Sequence, residues 1–417
     1  MTGGLPADLS VLVIFGLTYA GMATGRIPGL RTDRAGIALA AAVLILIVTG
    51  KSPAEAVAWL DLPTLALLFG LMVLSGKFSL SGFYDYCAFR ISHAAGSPER
   101  LLAVTIVVAG ALSAVLANDI IAFAMPPLLC LSLRARGLNP VPYLIGLAAA
   151  TNVGSAATVI GNPQNILIGQ VGGLDFWRFI ALCGVPSLLG LGVIHGVIVM
   201  QWRRRWALPQ RPESAPDPQP PALRRGALIK AVVLTATLLI AFGAGLPRDV
   251  SALIVAAAVF VSRSIESQAL VRSVDWGLLI LFGGLFIVSG ALADLPEAGV
   301  LFADLISGGW APERLSILAP LTLLMSNTIG NVPCVILLLQ VWQNPPAEAL
   351  YALALFSTLA GNLLITGSLA NIIVVERARS VGEHLSFIAH ARAGIPITLL
   401  TMAIAAVWLL GIGVIAF

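Results

Sequence analysis

Unbroken apolar runs recur along the chain at about 9–25, 35–50, 62–80, 179–201, 227–245, 250–262, 274–293 and 394–416, and read as membrane-spanning helices. Four further apolar regions, 101–135, 140–170, 313–342 and 347–375, are longer or are interrupted by glycine, proline and amide side chains. Two of the interruptions match. One runs Asn152…Gly161-Asn162-Pro163-Gln164-Asn165 and the other Asn362…Gly367-Ser368-Leu369-Ala370-Asn371, each ending in glycine, three residues, asparagine. Such residues are tolerated at bilayer depth only where backbone lines a cavity or is buried in protein. A matched pair, one in each half, points to the binding site of a transporter built from two discontinuous helices.

The other two interrupted regions read as re-entrant hairpins with polar tips. The first tip is Ala117-Asn118-Asp119, followed by an arm containing Met125-Pro126-Pro127; the second is Ser326-Asn327-Thr328-Ile329-Gly330-Asn331-Val332-Pro333. Residues 61–76 align without gaps on 275–290, with the identities Asp61/Asp275, Gly70/Gly284, Ser75/Ser289 and Gly76/Gly290 carrying more weight than the shared leucines. The expected organisation is N-terminal spanning helices (1–50), a first repeat (51–202), a linker (203–226), further spanning helices (227–264), a second repeat core (265–393) and a C-terminal spanning helix (394–417). If the arginine-rich linker is cytoplasmic, 20 of the 24 Lys/Arg fall on that side, leaving Lys51, Arg178, Arg248 and Arg314 opposite. The two repeats then run in opposite senses, with both termini outside. The fold class expected is therefore an all-α polytopic membrane protein of two inverted repeats, each with a re-entrant hairpin and a discontinuous helix.

Composition agrees. Residues are 58% hydrophobic and 11% charged, with mean hydropathy +0.96, where a soluble domain carries about 25% charge. Residues 1–10 lack a basic segment before the first apolar run, so a cleaved signal peptide is not expected. The four cysteines are scattered in apolar context and the four histidines form no ligand cluster. No phosphate-binding G-x-x-x-x-G-K-[ST] loop is present, and the proline-rich linker is too short for a nucleotide domain.

Asp119 is the one acidic residue at a hairpin tip inside an apolar stretch. A carboxylate there is costly to keep charged, which suits it to take up and release a proton; a structural acceptor and a sodium ligand are the other readings. His195 reads as a packing histidine or a proton relay, Lys77 as a residue reaching the interface, and Asp61 and Asp275 as helix caps. Glu376 and Arg377 read as a cytoplasmic helix end. Residues 140–170 and 350–375 contain no Lys, Arg or His, which favours an uncharged or weakly charged hydroxylated solute held by amides and helix ends.

Taken together, Ala117-Asn118-Asp119, Asn152…Asn165, Ser326-Asn327…Asn331-Val332-Pro333 and Gly361-Asn362…Asn371 resemble the ArsB-type permeases of the ion-transporter superfamily, over essentially the whole chain. That superfamily includes arsenite and silicon efflux transporters, the melanosomal P protein, sodium/proton antiporters, citrate permeases and sodium/dicarboxylate symporters. The resemblance implies a scaffold part and a transport part, the latter made of the hairpins and the discontinuous helices. It implies tip contacts from Asn118, Asp119, Asn327 and Asn331, and contacts from Asn152, Gly161, Asn162, Asn165, Asn362, Thr366, Gly367, Ser368 and Asn371 of the broken helices. The Gly161–Asn165 wording is closer to the silicon-efflux and anion-permease branch than to ArsB pumps. Ser326-Asn327-Thr328 is similar to the sodium-site signature of dicarboxylate symporters, whereas the first tip differs. Asn152 precedes Gly161 by nine positions and Asn362 precedes Gly367 by five, so unequal half-sites are expected. The function expected is export of a small inorganic oxyacid or anion, of the arsenite or silicic acid class, by proton antiport from a bacterial inner membrane. Sodium-coupled symport of an anion or carboxylate and sodium/proton antiport are the alternatives. No cofactor beyond the coupling ion, H+ or Na+, is expected, and no metal ligand set is assigned. The partners expected are the solute and the lipid bilayer, with no nucleic acid; a second copy of the chain and a separate ATPase subunit stay open.

Overall fold

The computed structural model describes residues 7–25, 32–208, 219–262, 265–296, 300, 304, 308, 312–342 and 344–417, so the middle of the linker lies outside the described residues. The first half comprises α1 (Ala7–Thr24), α2 (Arg34–Thr49), α3 (Pro53–Ala56), α4 (Leu62–Leu80), α5 (Phe83–Ser92), α6 (Pro98–Val115), α7 (Asn118–Ala135), α8 (Val141–Ser155), α9 (Pro163–Val171) and α10 (Phe176–Trp202). The second comprises α11 (Arg225–Gly243), α12 (Arg248–Phe260), α13 (Ser267–Arg272), α14 (Trp276–Ala293), α15 (Leu315–Thr328), α16 (Asn331–Val341), α17 (Ala347–Ala360), α18 (Leu369–Arg379) and α19 (Phe387–Gly411). No β-strand occurs among the described residues. Six helices, α4, α6, α10, α11, α14 and α19, are long and apolar enough to cross a bilayer, and α2 with 53–59 makes a seventh candidate span bent by 117°.

Both halves use the same order: two helices, a short helix, a capped helix, a hairpin, a broken helix and a long helix. The aligned residues have the same jobs in each. Asp61 Oδ1 accepts from Thr64 N and Asp275 Oδ1 from Leu278 N, both at 2.9 Å, and each caps its helix. Gly70 lies against the backbone of Ala252 on α12, and Gly284 against that of Ala38 on α2, where a Cβ would collide. Helices in lipid gain little from hydrophobicity and associate through such close backbone approach. The halves are consequently interlocked, α2 packing on α14 and α12 on α4.

Two observations fix the hairpins as re-entrant. In the first half α6 runs parallel to α8: Tyr143 Oη donates to Pro98 O (3.1 Å) and, further along, Thr158 Oγ1 donates to Ala114 O. In the second, Ser326 Oγ donates to Ser357 O (3.3 Å) and Asn327 Nδ2 to Ala360 O (2.9 Å), so α15 likewise runs parallel to α17. Each hairpin therefore returns to the side it left. Its tip stops at the depth of the neighbouring break, where Asn118 N donates to Gly161 O (3.4 Å). The arms α15 and α16, with 14 and 11 residues, are also too short for a core of about 30 Å.

Polar contacts tie the loops and helix ends together. Lys51 pairs with Asp294 (3.1 Å), Arg178 with Glu348 (3.0 Å), and Arg248 with the carbonyls of Gly169 and Leu174. Arg136 meets the carbonyls of Ser92 and Ala94, Arg377 Nε donates to Phe123 O (3.1 Å), and Gln201 Nε2 donates to Arg392 O (2.8 Å). Leu17, Ile47, Leu188, Met200, Ile240 and Val407 face outward, while Asn152, Asn162, Gln164, Asn165, Asn362 and Asn371 are buried within an otherwise apolar interior. One expectation fails here. Lys77 does not reach the interface; it is buried, with Nζ 3.4 Å from Ser262 Oγ, because α12 packs over that end of α4. His195 makes an interhelical contact, its Nε2 3.1 Å from Glu99 O.

Candidate functional site

Each broken helix is held open by one asparagine. Asn165 Nδ2 donates to Ser155 O (3.3 Å) and Thr158 O (3.0 Å), ten and seven residues back. Asn371 Nδ2 donates to Gly361 O (2.8 Å) and Leu364 O (3.2 Å), also ten and seven residues back. At Ser155 O and Gly361 O the amide supplies a donor in place of a helical N–H, while Thr158 O and Leu364 O also accept from Gly161 N (3.4 Å) and Gly367 N (3.1 Å). Matching the two brackets pairs Gly161 with Gly367, Asn162 with Ser368, and Asn152 with Thr358. That pairing shows that the spacings of nine and five, Asn152 to Gly161 and Asn362 to Gly367, compare positions that are not equivalent. The equivalent of Asn152 is Thr358, nine residues before its glycine as Asn152 is, whereas Asn362 has Ala156 as its counterpart.

The paired positions make mirrored contacts across the halves, Asn152 with Ser368 and Thr358 with Asn162. Ser368 Oγ donates to Asn152 Oδ1 (2.8 Å), and Asn152 Nδ2 donates to Asn362 Oδ1 (2.8 Å) and Asn371 Oδ1 (3.0 Å). In the mirror arrangement Asn162 Nδ2 donates to Thr358 Oγ1 (3.2 Å) and Ser155 Oγ (2.9 Å), while Gln164 Nε2 donates to Thr358 Oγ1 (3.1 Å). Asn162 Oδ1 accepts from Asn165 N (2.9 Å) and caps α9. His390 of α19 adds a ring nitrogen 3.2 Å from Asn362 O. Asn152, Asn162, Asn165, Asn362 and Asn371 are all buried in this network. Thr358, Ser155, Gln164 and His390 escaped the sequence reading; only the glycine-to-asparagine register, applied backward from Gly367, could have flagged Thr358.

Two cavities flank the network, one per hairpin tip. The first, about 350 Å³, is bordered by Ala117, Asp119, Ile160, Asn162, Arg272 and Asp275. The second, about 490 Å³, is bordered by Arg34, Gly330, Asn331, Thr366, Asp275 and Glu376. They share the wall made by Asp275, Leu278 and Ile373. Gly330 has φ +97°, a left-handed conformation that turns the second tip into α16. At the tips, two amide oxygens, Asn118 Oδ1 and Asn327 Oδ1, are buried without a hydrogen-bond partner. Gly367 lies against Asn327 Oδ1 so closely that a side chain there would collide with it. The structure thus divides the candidate residues. Asp119, Asn162, Asn331 and Thr366 border cavities; Asn118 and Asn327 present unpaired oxygens; Asn152, Asn165, Asn362, Ser368 and Asn371 tie the halves together.

Re-entrant tips meeting two broken helices at membrane depth, with cavities beside them, define a secondary transporter of the inverted-repeat type. The match to the citrate transporter (CitMHS) model over residues 11–343 is more specific, and the chain belongs to that family within the ion-transporter superfamily. It is a multi-pass membrane transporter, not an enzyme. It is 28% identical to the 46 kDa membrane protein of Mycobacterium leprae (84% of this chain, 86% of the relative). It is 26% identical to the rice silicon efflux transporter LSI3 (96% and 97%) and 26% identical to the human P protein (91% and 57%). Among solved structures, the YdaH transporter of Alcanivorax borkumensis has the same fold, with TM-score 0.57, 15% identity and 98% coverage of both chains.

Proposed function

We propose that the chain exports a small inorganic oxyacid or anion in exchange for protons, with Asp119 as the proton carrier. One observation carries this reading: Asp119 borders a cavity at the tip of a re-entrant hairpin, beside the cap of the discontinuous helix, Asn162. A carboxylate at that depth is costly as an ion and is stable when protonated, so proton release belongs to the state in which the cavity is wet. Arg272 and Asp275 border the same cavity. Both lie at the end of α13 and the start of α14, on the arginine-rich side, which gives protons a route to the cytoplasmic face. The likeness to the silicon efflux transporter supports a hydroxylated inorganic solute.

The test is transport by purified protein in sodium-free proteoliposomes under an imposed pH gradient, with arsenite and silicic acid in the substrate panel. Wild type accumulates solute with the gradient; Asp119→Asn, folded by its melting profile, loses that accumulation. Gradient-driven accumulation by Asp119→Asn refutes the proposal. A second reading, sodium-coupled symport, is favoured by the unpaired oxygens of Asn118 and Asn327, which suit a desolvated cation. Strict sodium dependence of the wild type would select it.

A further inference from the structure

The aligned serines Ser75 and Ser289 have no part in the mechanism above, yet both stand at hairpin tips. Ser75 of α4 is buried, and its Oγ accepts from Ala117 N (3.2 Å). Ala117 caps the start of α7, two residues before Asp119, where the helix offers its first N–H groups no carbonyl. Gly76, the next residue of α4, borders the first cavity together with Ala117 and Asp119. Ser75 therefore ties α4 to the tip beside the cavity of the proposed proton carrier.

Each serine also has a tyrosine at hand, and the two halves use it differently. In the second half Ser289 Oγ is hydrogen-bonded to Tyr19 Oη of α1 (3.0 Å). Tyr19 in turn donates to Pro333 O of the second hairpin, at the longer distance of 3.5 Å. In the first half the hydroxyl of Tyr84, on α5, is within reach of Ser75, but no hydrogen bond is formed. Tyr84 is 1% exposed, and its Oη has no partner among the described residues. A buried hydroxyl left unpaired is a cost that folds ordinarily avoid. Serine on the tip in one half and serine on the tyrosine in the other are two settings of the same parts.

We propose that Ser75 positions the tip carrying Asp119 and is a two-position catch, bonded to Ala117 N in the conformation seen here and to Tyr84 Oη when the tip withdraws. This rests on the transport reading above and adds how the tip is released. Withdrawal gives up the bond to Ala117 N and the contact of Asn118 N with Gly161 O (3.4 Å). The bond gained by Tyr84 offsets part of that loss and brings the two placements closer in free energy. Asp119 moves with the tip. The second tip has no such spare hydroxyl, because Tyr19 is already bonded to both Ser289 and Pro333.

Hydrogen–deuterium exchange of the full chain in detergent, read by mass spectrometry over residues 115–122, tests this without solute or gradient. Ser75→Ala quickens exchange at the tip by about threefold or more, as loss of one buried hydrogen bond implies. Tyr84→Phe has the opposite effect. It slows exchange at the tip and raises the melting temperature, because it removes the unpaired hydroxyl and the alternative bond together. It also keeps the ring, and so decides the matter should Ser75→Ala fail to fold. A tyrosine with a packing role alone would change the melting temperature and leave tip exchange as in wild type; that result in Tyr84→Phe overturns the proposal. Unchanged exchange in Ser75→Ala overturns it as well. Gradient-driven transport by Asp119→Asn is a separate measurement, so failure of the proton reading and failure of the catch are told apart.

Discussion

Asn165 and Asn371 show how much one side chain carries in a membrane interior. Each donates to two carbonyls at an unwound segment, one of which has no backbone donor, and neither borders the two cavities described above. Leaving a buried polar group unsatisfied costs about 1–3 kcal/mol, so Asn165→Ala and Asn371→Ala each lower the melting temperature of the detergent-solubilised protein by several degrees. Differential scanning fluorimetry checks this, and unchanged melting in both would contradict the bracket role. The sequence made these asparagines visible because amides inside apolar runs are conspicuous. It could not divide bracket from binding residues, because both need an amide at membrane depth. Arg34 was illegible for a different reason: it follows Asp33 at a helix start, where an arginine ordinarily meets solvent, and only the tertiary approach of Gly330 shows what it faces.

Element boundaries were legible wherever a run ended on a cap or a proline. Asp61, Ser97, Asp175, Asp275 and Ser386 all accept from a backbone N–H three residues on, and their helices start there. The pairing of elements was hidden, because an apolar run does not state its partner. Gly283 and Gly284 separate the two kinds of information. A side chain at Gly284 meets the backbone of Ala38, while one at Gly283 meets nothing within 4 Å. Overpacking a close contact costs about 1–3 kcal/mol. Gly284→Leu is therefore expected to reduce the folded, monodisperse fraction seen by fluorescence-detected size exclusion, with Gly283→Leu near wild type. Equal losses in both would remove the evidence for a close α2–α14 crossing.

At the scale of the molecule, two interlocked halves have one asparagine bracket each and nearly the same cross-contacts, yet their cavities differ. Asp119 stands at the first tip and Arg34 over the second, although Asn118 and Asn331 open their hairpin arms in the same way. Asymmetry thus lies in the charged residues at the tips and in which paired positions hold amides, Asn152 against Thr358 and Asn162 against Ser368, not in the spacing of the broken helices. The central claim is that protons move through the first cavity while the solute moves. Proteoliposomes loaded with a pH-sensitive dye and given a transported solute from outside, without sodium, measure this directly. Lumenal alkalinisation in step with solute entry, abolished in Asp119→Asn, is the predicted result. Solute entry without proton movement, or the same alkalinisation in Asp119→Asn, would contradict it.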